Sequence, residues 1–555
     1  MKERTQNVIL FLFFAICSLQ IAYSQQPTQE WVSRFTNGSY ASGQSVQLDS
    51  AGNAYVLVST TIADSTQGDY CVLKYTSGGT LLWTTYYNSP GNLTDDPNAF
   101  VVSGSGDIFV TGQTRINFNS YITTVKFNSS GVLQWAKTFD SGFLSSDAVD
   151  IALDSEGNIA ICGGTKVTSS LSVGFVIKYN SSGDSLWAKR YNPAQKHNFF
   201  AKLAIDNQNN IVVTGYYDFD SNVDYLIVKY LPDGTMVWEV TYDSPQNYDD
   251  GAMFLAIDTN RNIYTVGTSA VPAQTANNIL VKINSSGAIQ WAKIYTGILS
   301  GEGRCQYPGG IVTTPDGNSI YYTTFCANGT GGGGYDIVTL KHNSIGDTQW
   351  VKRFWGGVPG TINEPSCIKL DKHYNIYVTG AANYNNANTN ITTIKYLTNG
   401  TQQWVTTYNG PLTNSFDYSH DLKIDSNLNI FVTGISSRFN GNPILWDAVT
   451  IKYSQPIGII GELGEIPNKY FLYQNYPNPF NSTTIIIYSV PVKSFINLNI
   501  YELTGRLIKQ LVNNEQSSGY YSLAVNMEDL SSGIYLYTLL SNDKIINTKK
   551  LILVK

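Results

Sequence analysis

The sequence predicts an all-β protein, in which an eight-bladed β-propeller of four-stranded blades is followed by a small C-terminal β-sandwich. The first observation is a tryptophan that recurs about every 53 residues, and the second is a lysine of a VKY-like strand with the same period. Repeats of this size, made only of short strands and turns, are typical of propellers in which each repeat forms one blade. The tryptophans are Trp31, Trp83, Trp135, Trp187, Trp238, Trp291, Trp350 and Trp404, and the lysines are Lys74, Lys126, Lys178, Lys229, Lys282, Lys341, Lys395 and Lys452.

Residues 147–191 show how one repeat forms a blade. DAVDIAL alternates apolar and polar positions, as a half-buried strand does, and is followed by a turn from Asp154 to Asn158. IAICGG is nearly all small or apolar, which predicts a strand buried between neighbouring blades. The next strand ends in a turn before the strand that carries Trp187. We expect the tryptophan ring to fill the gap between blades, and the lysine stem to lie along apolar surface with its charge in solvent.

The two ends of the repeat region predict how the ring closes. Trp31 belongs to an outermost strand that has no inner strands before it, and the last repeat ends at Tyr453 with three strands and no tryptophan. Pairing residues 29–35 with residues 447–453 completes the last blade and removes two exposed sheet edges. The closed ring then has eight blades.

The first residues have the pattern of a secretory signal peptide over residues 1–24. Lys2 and Arg4 precede a short apolar run, and small residues precede Gln25. The apolar run is too short to span a bilayer, so we expect no transmembrane segment in the mature chain. The predicted domains are the propeller over residues 25–453, a linker over 454–470 and a C-terminal domain over 471–555.

Charge and cysteine content exclude several classes of partner. Without residues 1–24, the 35 basic and 41 acidic residues fall to 33 and 40, and a net negative chain is poorly suited to nucleic acid. Cys305 and Cys326 flank the residues added in the longest repeat and are a candidate disulfide in an exported protein. No CxxC or HExxH motif occurs, so we predict no metal site and no cofactor.

The predicted topology separates two faces of the propeller. Counted outward from the axis, the turns between strands one and two and between three and four share one face, and they are short and regular. The opposite, variable-loop face holds loops of varying length rich in Tyr, Asn, Asp and Gly. Irregular loops on a regular scaffold often carry binding, and aromatic rings beside polar groups suit sugars or protein surfaces. The candidate ligand-binding residues are Tyr216, Tyr217, Tyr248, Trp355 and Tyr418.

Acidic residues recur where the innermost strands begin. A ring of carboxylates near the central channel could hold a cation, but we expect each carboxylate to accept hydrogen bonds from amides of a neighbouring loop. The segments that begin at Asp206 and Asp425 lack the spacing and terminal glutamate of a calcium-binding EF-hand loop and are predicted to be hairpin turns. The acids concerned are Asp95, Asp96, Asp147, Asp249, Asp250, Asp417 and Asp421.

No catalytic residues are predicted. The four histidines share no motif, and no GxSxG, P-loop or Rossmann fingerprint occurs. We therefore predict a non-enzymatic protein that binds a glycan or another protein through the variable-loop face. Two alternatives stay open: a secreted polysaccharide hydrolase or lyase with its active site at the central channel, since two acids brought together by folding leave no spacing signature, and a purely structural surface protein.

The C-terminal residues follow a different pattern, in which about seven short strands in some 85 residues predict a small β-sandwich. YQNYPNPFN (473–481), IYELTGR (500–506), LSSGIYLY (530–537) and the final TKKLILVK resemble the type A C-terminal sorting domain of the type IX secretion system. Ser482 stands where relatives commonly have proline. The motif residues are Tyr476, Pro477, Asn478, Pro479, Phe480, Gly505, Arg506, Gly533, Lys549 and Lys550.

This resemblance implies a location and a partner. The secretion machinery would recognise the C-terminal domain at the outer membrane, and the protein would be anchored at the cell surface or released. The repeat region, residues 29–453, in turn resembles the bacterial propeller repeats called SBBP, on the patterns at Asp206 to Gly215 and Asp224 to Trp238. The SBBP resemblance implies the propeller fold and no shared catalytic residues.

Overall fold

The computed structural model describes residues 26–555 apart from short segments. The predicted signal peptide and most of the predicted linker lie outside the described residues, as do Tyr476 and Pro477. The described residues form 39 strands and no helix, which confirms the all-β prediction. The segments left out are 62–67, 92, 117–118, 143–144, 169–170, 193–195, 220–221, 246–247, 272–274, 298–304, 328–333, 359, 386–387, 413–414, 440–443, 456–466, 468 and 476–477.

Gln29–Ser454 form one compact unit of eight antiparallel four-stranded sheets, which we call blades 1 to 8. The first strand, β1 (Thr28–Phe35), belongs to blade 8. Blades 1 to 4 are β2 (Ala41–Leu48), β3 (Ala54–Thr61), β4 (Gly68–Tyr75), β5 (Leu81–Tyr87); β6 (Thr94–Val102), β7 (Ile108–Ile116), β8 (Asn119–Phe127), β9 (Leu133–Phe139); β10 (Ser145–Leu153), β11 (Ile159–Lys166), β12 (Ser172–Tyr179), β13 (Ser185–Tyr191); β14 (Asn198–Ile205), β15 (Ile211–Phe219), β16 (Asn222–Tyr230) and β17 (Met236–Tyr242).

Blades 5 to 8 continue the same order. They are β18 (Asp250–Ile257), β19 (Ile263–Val271), β20 (Thr275–Ile283), β21 (Ile289–Tyr295); β22 (Cys305–Thr313), β23 (Ser319–Ala327), β24 (Tyr335–Asn343), β25 (Thr348–Phe354); β26 (Glu364–Leu370), β27 (Ile376–Asn385), β28 (Asn388–Tyr396), β29 (Gln402–Tyr408); and β30 (Asp417–Ile424), β31 (Ile430–Phe439), β32 (Leu445–Ser454) with β1. The first strand of each blade contacts the first strand of the next, and β30 contacts β2, so the ring is closed.

Blade 8 joins the two ends of the repeat region. Its strand order is β1-β32-β31-β30, so the N-terminal strand is the outermost strand of the last blade, as predicted. Arg34 of β1 holds this seam, because its guanidinium lies 2.9 Å from the Asp447 carboxylate of β32. The apolar core is divided among the blade interfaces, with one buried cluster between each pair of neighbouring blades.

The periodic tryptophans link each blade to the next. The indole N–H of Trp135 in blade 2 donates to the Ser181 carbonyl, in the turn between the third and fourth strands of blade 3, over 3.2 Å. Gly183 of the same turn has φ +83°, and a Cβ there would lie 2.8 Å from the Trp135 ring. Glycine is therefore favoured at this position for two reasons: it adopts the positive φ of the turn, and it leaves room for the Trp135 ring. The equivalent indole bonds are Trp31 to Ser77, Trp187 to Pro232, Trp238 to Ser285, Trp291 to Ser344 and Trp350 to Thr398.

The lysines correct the expectation of solvent-exposed charges. The side chains of Lys178 and Lys229 are only 3% and 6% exposed, and each Nζ lies 2.9 Å from a carboxylate in the first turn of its own blade, that of Asp154 or Asp206. Lys178 Nζ also donates to the Pro232 carbonyl over 3.3 Å, which is the carbonyl that accepts the Trp187 indole N–H. Tryptophan, lysine and the turn of the next blade together form what we call the inter-blade clamp.

The carboxylates of the first turns organise the turns themselves. Asp206 Oδ1 accepts the backbone N–H groups of Gln208 and Asn210, and the Asn210 amide donates to Oδ2. Burial alone would raise the pKa of Asp206, but hydrogen bonds from Asn210 and Lys229 outweigh burial and hold this pKa below its usual value. Asp425 makes the same bonds with Asn427 and Asn429, so both segments are hairpin turns.

The C-terminal unit has two sheets. Its seven strands are β33 (Phe471–Leu472), β34 (Thr483–Val490), β35 (Ser494–Glu502), β36 (Leu507–Gln516), β37 (Gly519–Asn526), β38 (Gly533–Ser541) and β39 (Lys544–Leu553). One sheet has the order β33-β34-β37 and the other β36-β35-β38-β39. Side chains of both sheets, including Ile486, Leu498 and Tyr537, share one buried core, as expected of a sandwich.

Substituting Gly183 tests the contact between turn and tryptophan. Gly183→Ala introduces a Cβ at positive φ against the Trp135 ring, whereas Gly157→Ala introduces one at φ +82° with no heavy atom within 4 Å. We expect the control Gly157→Ala to lose about 1 kcal/mol of stability from φ strain, and Gly183→Ala to lose about 2 kcal/mol more. Urea-unfolding midpoints measure both, and equal losses would contradict the contact.

Removing a clamp lysine tests the buried ion pair. Lys229→Met leaves the buried Asp206 carboxylate without its cation, and we expect a loss of about 3 to 5 kcal/mol. The matched control is Lys74→Met in blade 1, where the Nζ lies 3.9 Å from Asp49 and the pair is more exposed, so a loss of about 1 kcal/mol or less is expected. Thermal and urea unfolding compare the two variants; a larger loss for Lys74→Met would count against this account.

Candidate functional site

Tyr307 is the most exposed aromatic side chain at the variable-loop end of blade 6, with 59% of its surface accessible. It lies on β22, where the pairing with β23 is interrupted twice between Cys305 and Gly310. Such bulges redirect side chains. The Cys305–Cys326 disulfide joins β22 to β23 at this end, so the bulge is covalently braced beside the opening of the channel. Sequence reasoning named the two cysteines but did not identify Tyr307.

Trp355 lies at the other radial end of the same blade. It follows the outermost strand β25 and is 55% exposed. Ile362 is 46% exposed and sits where the backbone of residues 361–363 pairs with Tyr335, at the start of β24 in the same blade. Because neighbouring strands are about 4.8 Å apart, the first and fourth strands of a blade are separated by about 14 Å. We call the surface formed by Tyr307, Ile362 and Trp355 the blade 6 rim.

Two of the predicted ligand-binding residues lie side by side on β15 but face differently. Tyr216 is half-buried, and its ring stacks on Phe199 with centroids 5.7 Å apart and lies 5.6 Å from the His197 ring. Tyr217 is 7% exposed and packs against Tyr191 in the core between blades 3 and 4. Successive strand residues point to opposite faces, so the two rings lie on opposite faces of β15 and only Tyr217 is buried in the core.

The remaining predicted residues occupy other blades. Tyr248 is half-buried in the loop between blades 4 and 5. Tyr418 of blade 8 is half-buried and contacts Trp446, with ring centroids 6.4 Å apart. The five predicted residues are thus spread around the face. Trp446 was not predicted, although a signal existed: Trp355 and Trp446 are the two tryptophans of ten that fall outside the repeat period.

The acids that begin the innermost strands accept hydrogen bonds from loop amides. Asp95 accepts from the Ser89 N–H over 2.7 Å, Asp250 from the Ser244 N–H over 2.6 Å and Asp417 from the Gly410 N–H over 2.7 Å. Each bond connects the loop entering a blade to that blade's first strand. These carboxylates therefore fix the conformation of the variable loops. This is the role predicted from the sequence, in which each carboxylate accepts hydrogen bonds from amides of a neighbouring loop.

A second set of acids occupies the start of the third strand in four blades. Asp336 lies 3.0 Å from Arg353, and Asp447 lies 2.9 Å from both Arg34 and Arg438. In the described part of the chain, the equivalent Asp69 and Asp224 form no ion pair. Burial and then the Asp95 carboxylate raise the pKa of Asp69 to about 6. Burial and then Asp243 and Asp250 raise the pKa of Asp224 to about 7.

Two carboxylates of the innermost strands, Asp421 and Asp150, have clear hydrogen-bond or ionic partners. Asp421 accepts hydrogen bonds from Ser45 Oγ over 2.6 Å, from the Val46 N–H over 3.1 Å and from Cys367 Sγ over 3.3 Å. Burial raises the pKa of Asp421, but the charge of Lys369 outweighs it and lowers the pKa overall. Lys202 lies 3.5 Å from Asp150. Asp421 and Asp150 are therefore bonded carboxylates.

The sorting motifs meet at the end of the C-terminal unit. The Asn478 side chain accepts the Ile552 N–H and donates to the Lys550 carbonyl, and Phe480 pairs with the last strand through its backbone. Phe480 is buried in the sandwich core. Arg506 pairs with Glu502 across the turn at Gly505, whose φ is +85°. Lys550 is exposed on the edge strand β39, beside the half-buried Lys549.

Residues 474–555 match the family model described as the secretion system C-terminal sorting domain. The C-terminal unit is a sorting domain. The protein is therefore exported by the type IX secretion system to the cell surface or the extracellular space, and the sorting domain interacts with that secretion machinery. In the ranges that the structure describes, no helix is long and apolar enough to cross a membrane.

The propeller is similar to proteins of varied description. An uncharacterized WD repeat-containing protein of Acanthamoeba polyphaga mimivirus is 25% identical over 38% of this chain, which spans 19% of that relative's length. Among solved structures, an ulvan lyase of family PL25 is 12% identical over 62% of this chain and 91% of its own, with a TM-score of 0.41.

Two further structures show the same level of likeness. The polysaccharide lyase Uly1 is 11% identical over 77% of this chain and 100% of its own, with a TM-score of 0.40. The periplasmic gluconolactonase of Pseudomonas aeruginosa is 11% identical over 66% and 98%, with a TM-score of 0.34. No functional conclusion follows from these values.

The raised pKa of Asp224 predicts a pH dependence of stability. Its folded-state pKa of about 7 lies above the ordinary value of 3.8, so its contribution is present at low pH and is lost as pH rises toward about 7. In EDTA, we expect the thermal midpoint to fall between about pH 4 and pH 7, and less steeply in Asp224→Asn. Asp233→Asn is the control, because hydrogen bonds from Thr235 lower the pKa of this exposed acid. An unchanged slope in Asp224→Asn would contradict the prediction.

Proposed function

We propose that this exported protein is a non-enzymatic binding protein that holds a glycan or another protein on the variable-loop face of its propeller. The observation that supports this most directly is the blade 6 rim, which combines two aromatic rings that are more than half exposed with an exposed isoleucine. Exposed apolar side chains that are grouped at one end of a blade are candidates for an interaction site. We further propose that residues 29–453 are repeats of the SBBP type.

The geometry of the rim suits an extended ligand. Aromatic rings stack on the apolar CH faces of sugars, and they anchor protein interfaces equally well. A separation of about 14 Å between the strands that carry Tyr307 and Trp355 matches a short oligosaccharide or one edge of a protein. The rim is also well supported, because a Cβ on Gly356 would lie 2.0 Å from the Asn383 carbonyl oxygen, so the backbone after Trp355 packs directly on blade 7.

Catalysis receives less support from the described residues. A hydrolase or lyase needs an acid or base that is free to exchange a proton with substrate. Asp421 and Asp150, two of the carboxylates on the innermost strands, already have hydrogen-bond or ionic partners. Asp95, Asp250 and Asp417 each accept the N–H of a loop residue. Binding without turnover is therefore the proposal, with a polysaccharide-degrading enzyme as the competing outcome of the test below.

The test is binding of the purified exported protein to a broad glycan array, followed by capture of surface proteins if the array is blank. We expect saturable binding that weakens at least tenfold in Trp355→Ala and in Tyr307→Ala, because each removes one stacking ring, worth roughly 1 to 3 kcal/mol. The control is Tyr374→Asn, which removes an exposed ring from the opposite, short-turn face and places a residue suited to the φ of +63° there.

Three results bear on the choice between functions. Unchanged binding by both rim variants would remove the blade 6 rim from the proposal. Release of shortened or unsaturated sugar from any arrayed glycan would show an enzyme. If neither glycans nor proteins bind the wild-type chain, a purely structural role replaces the binding proposal.

A further inference from the structure

Three carboxylates converge between blades 4 and 5 on the variable-loop face. Asp224 begins the third strand of blade 4, Asp243 follows its outermost strand, and Asp250 begins blade 5. One oxygen from each of the three lies within 4.8 Å of the others. Asp224 and Asp250 are buried, whereas Asp243 is exposed. Negative charges this close repel one another strongly unless a proton or a cation lies between them.

Asp250 itself indicates which of its oxygens is available. Oδ2 accepts the Ser244 N–H over 2.6 Å and so holds the loop that enters blade 5. Oδ1 is buried and has no hydrogen-bond partner in acceptable geometry. The equivalent Asp95 has both oxygens occupied, by Thr114 and by the Ser89 N–H. Opposite Asp250, Ser269 takes the place of Thr114, but its hydroxyl donates to Ser244 Oγ over 3.3 Å and makes no hydrogen bond of ordinary geometry to Oδ1. A buried carboxylate oxygen without a partner is costly, and a bound cation removes that cost.

The repeat supplies an independent observation, because other blades place a positive charge at the same position. Asp336 and Asp447 are the counterparts of Asp224, five residues before the periodic lysine. Each is held by an arginine three residues after the periodic tryptophan, Arg353 or Arg34. In blade 4 the residue at that position is Thr241, whose pairing with Leu226 matches the pairing of Arg353 with Val338. Blade 4 keeps the carboxylate and lacks the internal cation.

We propose that Asp224, Asp243 and Asp250 bind a divalent cation of the calcium class. Calcium lies about 2.3 to 2.6 Å from its oxygen ligands, so two ligands on opposite sides of the ion are about 4.8 Å apart. The three carboxylate oxygens lie within that distance of one another. A set of ligands made only of carboxylate oxygens favours calcium, magnesium or manganese over zinc or copper. Because Asp243 is exposed, water can complete the coordination on that side.

The cation would connect two blades and one loop. It neutralises the charge that blade 4 leaves uncompensated, and it ties Asp243, at the start of the loop between β17 and β18, to the buried Asp224 and Asp250. Tyr248 belongs to the same loop. None of the three acids belongs to the blade 6 rim, so cation binding is measured separately from ligand binding at the rim.

The loop between blades 1 and 2 provides a natural comparison. Its sequence YNSP corresponds to YDSP at Tyr242, so Asn88 takes the place of Asp243 while Asp69 and Asp95 correspond to Asp224 and Asp250. Replacing a carboxylate with an amide removes one negative charge from a cation site and weakens it. Asp243→Asn therefore converts the proposed site into the composition that the chain already uses in another blade.

The experiment is calorimetric titration of the EDTA-treated exported protein with Ca²⁺ alone, and with Mg²⁺ for comparison. We expect one site with a Kd on the order of 0.1 to 1 mM, the range of extracellular calcium modules, and a higher thermal midpoint in calcium. Asp243→Asn is expected to weaken binding at least tenfold, and Asp224→Asn to abolish it. The matched control Asp336→Asn, at the arginine-paired counterpart, leaves calcium affinity unchanged.

A second variant keeps the proposal testable if Asp224→Asn does not fold. Thr241→Arg gives blade 4 the arginine that blades 6 and 8 use, and we expect it to abolish calcium binding while raising the thermal midpoint without calcium. The proposal is overturned if the wild-type chain shows no calcium binding up to about ten times the expected Kd, which would indicate a shared proton instead. It is also overturned if Asp336→Asn weakens binding as much as Asp243→Asn, because the ion would then be held nonspecifically.

Discussion

The contact between a periodic tryptophan and the glycine turn of the next blade, which seven of the eight tryptophans make, is the interaction on which the ring depends. A four-stranded blade buries little by itself, and the apolar clusters lie between blades. The indole N–H fixes the neighbouring turn, while the positive-φ glycine lets the turn rest on the ring. Trp404 is the exception among the periodic tryptophans. Its next blade has no such turn, because the seam uses β1, and the ring is buried beside Tyr453 instead.

The clamp also explains the difference between the two faces. Buried lysine-carboxylate pairs and glycine turns occupy the short-turn ends of the strands, so those turns vary little in length or composition. Among the described residues, the variable-loop ends have no side-chain contact that recurs in every blade. Individual loops are stabilised by different contacts: some by a carboxylate that accepts a loop N–H, and those of blade 6 by the disulfide. This freedom lets individual blades acquire exposed rings or unpaired acids without weakening the ring.

Residues that depart from the repeat pattern therefore indicate where an individual blade differs from the others. Trp355 and Trp446 are tryptophans outside the period, and Thr241 replaces an arginine that two other blades use to neutralise a carboxylate. Each departure has a physical consequence at its own blade: an exposed ring, a half-buried aromatic pair, or a cluster of acids without a counter-charge. The sorting domain adds the export route but has no part in these differences among blades.

The sequence by itself determined the propeller fold, the closure of blade 8 by residues 29–35 and the sorting domain, because each is encoded in a period or a contiguous motif. Tertiary structure decided the rest. Tyr216 and Tyr217 are adjacent in sequence, yet packing against Tyr191 buries only the second. The clamp lysines are buried, and Asp224 meets Asp243 and Asp250, because side chains from separate strands and blades converge there. Such meetings depend on distances across the ring, which no local pattern records.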